Sequence, residues 1–171
     1  MKKVLFLFAL IMSFETKAQF EGFDGRMDVH AGYAMPLGNN YPINGGIAIG
    51  AEPKFWYNES LVFGGKLGFN FLGSPAEGVK LAPLTTIVLL GEKYFGEGDA
   101  LFFAGASAGV YAGGQTKKIY GAPTQLKAPK IFGYAPRGGI QFGPYRLMAE
   151  LHVRKNQSRF VSIMLGYTFG E

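Results

Sequence analysis

The chain holds two histidines, and each stands two residues from a carboxylate: His30 follows Asp28, and His152 follows Glu150. An imidazole oriented by an acid can take the proton of a serine hydroxyl and so make a nucleophile for acyl chemistry. Ser107 and Ser162 are the candidate serines, although the spacing ties neither to a particular histidine. The competing reading makes both histidines fillers of a polar interior network. That reading is adopted, and no catalytic residue is assigned. Nowhere do His, Asp and Glu fall at metal-ligand spacing, and cysteine is absent, so neither metal nor cofactor is expected.

The elements that must position these residues are strands. From Arg159 to Phe169 the odd positions Val161, Ile163, Leu165, Tyr167 and Phe169 form an apolar and aromatic row, while the even ones include Ser162, Gly166 and Thr168. Period two is the signature of a strand with unlike faces. About ten alternating residues ending in aromatics is what a tilted strand needs to cross the hydrocarbon of a bilayer, with Tyr and Phe at headgroup depth. Such a strand cannot span alone, because each unpaired backbone group in lipid costs several kcal/mol, so a closed barrel is required.

Composition agrees. The 171 residues are one domain's worth, 48 % hydrophobic and 15 % aromatic, with 26 glycines and only 17 % charged residues, where soluble domains carry about 25 %. Beyond the first twenty residues no apolar run approaches the roughly 20 residues of a spanning helix. Residues 1–18 read as a secretory signal peptide: Lys2 and Lys3, an apolar core from Val4 to Phe14, then Thr16-Lys17-Ala18, with cleavage before Gln19. No Cys follows to take a lipid. The mature domain is then 19–171, and losing Lys2, Lys3, Lys17 and Glu15 lowers the net charge from +5 to +3. That surplus is too small to point to nucleic acid.

Eight alternating runs follow, at about 26–35, 45–57, 61–72, 83–95, 100–112, 131–142, 146–155 and 159–169. Longer connections (Pro36 to Asn44, Gly73 to Ala82, Gly113 to Lys130) alternate with tight turns (Asn58 to Ser60, Gly96 to Asp99, Gly143 to Tyr145), and Asn156 to Ser158 makes a short fourth loop. This is the asymmetry of an outer-membrane barrel, with turns facing the periplasm and loops facing out. The runs that descend to the turns end in aromatics: Phe55-Trp56-Tyr57, Tyr94-Phe95, Phe142 with Tyr145, and Tyr167 with Phe169. Aromatics recurring at one end of alternate strands make an interfacial belt.

Parity assigns the faces. Met27, Val29, Tyr33, Ile47, Ile49, Phe63, Leu67, Phe69, Leu147 and Leu151 point to lipid. Arg26, Asp28, His30, Glu52, Lys54, Lys66, Arg137, Glu150, His152 and Arg154 point inward, with Asn70, Gln141 and Glu92. The fourth and fifth runs stay ambiguous, being apolar or small on both faces. An eight-stranded interior is just wide enough to be filled by side chains. Charges of both signs there satisfy one another and form a polar plug instead of a pore.

These residues make the chain resemble the small eight-stranded outer-membrane β-barrel family, the OmpX and OmpA-transmembrane-domain type, across the whole mature length. The likeness rests on the leader, the hairpin rhythm and the terminal Leu165-Gly166-Tyr167-Thr168-Phe169, which Gly170 and Glu171 extend. The resemblance implies an up-and-down antiparallel barrel in the outer membrane, with Phe169 and Tyr167 as the signal read by the barrel-assembly machinery; with no peptidoglycan-binding domain following, a wall-tethering role is not expected. It implies a structural or interaction role exerted through the outer loops. Barrel enzymes that remodel lipid A or phospholipid acyl chains, a small channel, and a soluble periplasmic lipocalin-like binder are the rivals.

The third loop carries Lys117, Lys118, Lys127 and Lys130. Lysines near an anionic surface add about 1 kcal/mol each, so contact with lipopolysaccharide headgroups is one expectation and a solvated loop the other. Asn58-Glu59-Ser60 and Asn156-Gln157-Ser158 match a glycosylation pattern but read better as turns. The glycine-rich stretches at 45–50 and 64–66 are not phosphate loops, because no helix follows to present its N-terminus.

Overall fold

The computed structural model describes residues 25–37, 44–73, 79–81, 83–113, 116–118, 130–155 and 159–170. The leader, Lys127, Asn156 to Ser158 and most of the three longer loops lie outside them. In chain order the strands are β1 (Gly25–Leu37), β2 (Asn44–Trp56), β3 (Leu61–Gly73), β4 (Val79–Leu81), β5 (Leu84–Phe95), β6 (Ala100–Ala112), β7 (Thr116–Lys118), β8 (Lys130–Phe142), β9 (Tyr145–Arg154) and β10 (Arg159–Phe169). Eight of them close into a barrel in the order β1-β10-β9-β8-β6-β5-β3-β2. Every neighbouring pair is antiparallel, and the first strand closes on the last, from Met27↔Phe169 through Leu37↔Arg159. The eight long strands begin and end within two residues of the alternating runs.

Local chemistry explains the tight end of the barrel. Asn58 Oδ1 accepts from the backbone N–H of Ser60 at 3.0 Å and of Leu61 at 2.9 Å, so Asn58 builds the β2–β3 turn with its side chain. Between β5 and β6 the chain reverses through Gly96 and Gly98, at φ of +110° and +80°, a region that disfavours side chains. The opposite end holds the longer connections. There β4 and β7, inside segments read as plain loops, pair as a separate ribbon with Lys80 opposite Lys117. Three residues are too few to show an alternating pattern.

The two faces of the wall differ sharply. Leu89 is 76 % exposed and Leu165 68 %, whereas Glu52 is fully buried. So wide an apolar exterior would be an aggregation surface in water and suits hydrocarbon instead. Pairing with β3 and β8 fixes the faces of β5 and β6. Leu84, Val88, Leu90, Glu92 and Tyr94 of β5 are buried with Phe103, Ser107 and Tyr111 of β6, while Ile87, Leu89, Phe102 and Val110 are exposed.

Two members of the expected aromatic belt belong elsewhere. Tyr94 is buried, and Trp56 packs on it with ring centroids 5.0 Å apart. Both share parity with inward charges, Glu92 and Lys54, and their polar atoms suit a lumen better than lipid. Phe55, Tyr57, Phe95, Phe142, Tyr145, Tyr167 and Phe169 remain exposed at the turn end. The lumen is also less uniformly polar than parity suggested. Val62, Tyr94 and Phe103 lie towards the turns and Leu72, Leu84, Tyr111 and Phe160 towards the loops, so apolar layers flank the charges.

Candidate functional site

The densest chemistry lies inside the barrel. Four carboxylates (Asp28, Glu52, Glu92, Glu150) meet four cations (Lys54, Lys66, Arg137, Arg146), and all eight are buried. Arg137 Nη2 donates to both oxygens of Glu52 at 2.8 Å, and its Nε lies 3.0 Å from Glu92. Arg146 reaches Asp28 at 2.5 Å and Glu92 at 2.6 Å. Lys54 sits among Asp28, Glu52 and Glu92 at 2.6, 2.8 and 3.0 Å, and Lys66 pairs with Glu150. Equal numbers of opposite charges let each ion lose its water against a partner; a lone charge would be far more costly there. Since β2 and β8 stand opposite one another in the ring, as do β3 and β9, the Arg137–Glu52 and Lys66–Glu150 pairs cross the lumen and tie facing walls together.

A second cluster forms around His152. Its Nδ1 lies 3.1 Å from the Tyr111 hydroxyl and its Nε2 3.2 Å from Ser162 Oγ. Phe160 stacks on the ring at 4.1 Å, and the Arg154 guanidinium lies over Phe160 at 5.3 Å. Glu150 Oε2 approaches the same Nε2 at 3.5 Å. In a serine relay the acid holds the nitrogen opposite the serine, so Ser162, His152 and Glu150 do not form that relay. Ser107 donates to Glu150 at 3.1 Å. His30 is separate: Nδ1 is 3.8 Å from Glu52, and the ring fills space left by Gly50, whose added Cβ would stand 2.9 Å from His30 Cε1.

Asp28, His30, Glu52, Lys54, Lys66, Arg137, Glu150, His152 and Arg154 are all buried in the lumen, and Arg26 is half-buried at the turn end, its Nη2 2.6 Å from the Tyr94 hydroxyl. Sequence reasoning missed Arg146. It opens β9 on the same parity as Glu150 and His152, and that parity was the signal that could have found it. Phe169 and Tyr167 lie exposed on β10, beside the β1 seam. Lys117 and Lys118 belong to the ribbon, and Lys130 is exposed at the start of β8. Among the described residues no group of three or more His, Asp and Glu is arranged to hold a metal ion.

No protein-family model and no curated protein matches the sequence. Solved structures match the fold. The N-terminal β-barrel domain of Pseudomonas aeruginosa OprF superposes with a TM-score of 0.54 at 8 % identity, over 86 % of this chain and 99 % of that one. Neisserial surface protein A (NspA) gives 0.56 at 13 % identity, over 88 % and 97 %. The fold is that of the small eight-stranded outer-membrane barrels. At such identities the likeness is one of backbone path.

Proposed function

We propose that this chain is an integral outer-membrane barrel, delivered by a cleaved leader, with a polar plug in its lumen and a structural or interaction role exerted through the loop end. The observation that carries the reading is the inversion of polarity: large apolar side chains cover the outside, and eight interlocked charges fill the centre. Lipid is the surroundings that such a surface suits, and an ion-paired lumen favours rigidity over conduction. The Ser162–His152–Glu150 arrangement speaks against acyl chemistry, so the reading is non-enzymatic. Phe169 and Tyr167 are assigned to recognition by the barrel-assembly machinery. Lipid and lipopolysaccharide are the surrounding partners, with Lys117, Lys118, Lys127 and Lys130 available for contact.

Cell fractionation followed by electrophoresis of boiled and unboiled samples tests this. The protein should be extracted from the envelope by detergent and change mobility on boiling. Recovery in the soluble periplasm would refute the proposal. Discrete conductance steps in planar bilayers would refute the plug alone.

A further inference from the structure

The exposed charges of the barrel are not spread evenly along its axis. Among the described residues, the turn end holds the exposed Glu59, Glu97 and Asp99 with the exposed Lys93 and the half-buried Arg26. At the loop end, the outward positions of five barrel strands end in uncharged residues: Leu37 of β1, Gly45 of β2, Gly73 of β3, Thr85 of β5 and Ala112 of β6. The other three close outward in a cation: Lys130 on β8, Lys155 just past β9 and Arg159 on β10. These strands are neighbours in the ring. None of the three cations forms an ion pair with a described carboxylate.

Register places them on one arc. Lys155 lies one residue beyond the Gly133↔Arg154 pair, Arg159 is one residue from the Phe160↔His152 pair, and Lys130 stands three residues before Gly133. With a rise of about 3.3 Å per residue and strands about 4.8 Å apart, the arc is about 15 Å across. Beneath it on the same outward parity run apolar columns: Phe132 and Tyr134 on β8, Leu151 and Val153 on β9, Val161 and Ile163 on β10. Cations above an apolar wall match an amphiphile with anionic groups above several acyl chains. Among the described residues, the outward loop-end positions of the other five barrel strands carry no charge.

We infer that the loop ends of β8, β9 and β10 form a binding site for a phosphate-bearing lipid of the outer leaflet, its phosphates held by Lys130, Lys155 and Arg159 and its chains laid on Phe132, Tyr134 and Val153. This rests on the proposed membrane placement with the loops outward. Each cation near an anionic surface is worth about fivefold in affinity, so the three together are worth on the order of a hundredfold.

The test uses the full mature chain in phosphatidylcholine nanodiscs doped with bisphosphorylated lipid A, with lipid retained after mild extraction measured by mass spectrometry. Wild type should retain the phosphorylated lipid, and Lys130→Gln/Lys155→Gln/Arg159→Gln should weaken retention about a hundredfold. The single variants should lose about fivefold each, which keeps the test decisive if the triple variant does not assemble. Lys93→Gln, at the other end, should change nothing. Dephosphorylated lipid A should bind no better than phosphatidylcholine, and inorganic phosphate at matched concentration should not compete. Unchanged retention by the variants, an equal loss from Lys93→Gln, or full competition by inorganic phosphate would overturn the site. A chain that inserts and shifts on boiling yet shows no such retention refutes this inference alone; a chain that never enters the nanodisc refutes the membrane placement beneath it.

Discussion

Replacing Arg137 by leucine removes the central cation of the lumen. Its guanidinium contacts Glu52 at 2.8 Å and Glu92 at 3.0 Å, with Glu150 at 3.9 Å, and all of these groups are buried. Arg137→Leu leaves four carboxylates facing three cations where water cannot compensate. Removing one partner from a buried ion pair costs about 3–5 kcal/mol. Here the cost should fall near the lower bound, about 3 kcal/mol, because Glu52 keeps Lys54 at 2.8 Å and Glu92 keeps Arg146 at 2.6 Å. Urea unfolding in phospholipid vesicles measures it, read by the mobility shift of unboiled samples and by the fluorescence of Trp56, the single tryptophan, which packs inside against Tyr94. Arg137→Leu/Glu52→Leu restores equal charge, so it should be less destabilised than the sum of the single variants by about 1–3 kcal/mol. A loss under about 1 kcal/mol for the single variant, or strict additivity in the double, would show that these charges are hydrated or unpaired and that the lumen is not a plug.

Three further outcomes are expected. Leu165→Arg, at a mid-strand position 68 % exposed, should destabilise the vesicle-embedded barrel by about 2–4 kcal/mol; a change within about 0.5 kcal/mol, as at an ordinary wet surface, would mean that this face does not meet lipid. Tyr111→Phe deletes the hydroxyl 3.1 Å from His152 Nδ1 and should cost about 1 kcal/mol in urea unfolding, with no loss implying that the imidazole finds another partner. Phe169→Ala should lower the amount of assembled barrel in the envelope while leaving refolding yield in detergent unchanged. Equal losses in both assays would assign Phe169 to packing against Tyr167, 4.7 Å away, and not to recognition.

The strand count and most of the facing were legible because the side-chain period of a strand is two whatever its neighbours are. A charge on one parity, such as Glu52 or Arg137, fixes the face of its whole run. Where both faces are apolar or small, as over Leu84 to Leu90 and Ala100 to Ala112, that indicator vanishes, and only pairing with β3 and β8 set the phase. Trp56 and Tyr94 were misread for a different reason. A cluster of aromatics at a strand end suggested a belt, yet consecutive residues cannot share one face, so one ring of each cluster had to turn inward.

By itself, the sequence determined an eight-stranded antiparallel wall, long loops at one end and turns at the other, and most of the residues that look in on the six strands whose charges fall on one parity. Only the tertiary structure decided which of the inward residues meet. Arg137 and Glu52 are 85 positions apart on opposite walls, and Ser162 reaches the same nitrogen of His152 that Glu150 approaches. Contacts across a lumen depend on the radius, tilt and stagger of a closed ring. These properties belong to all eight strands together, and no single strand encodes them.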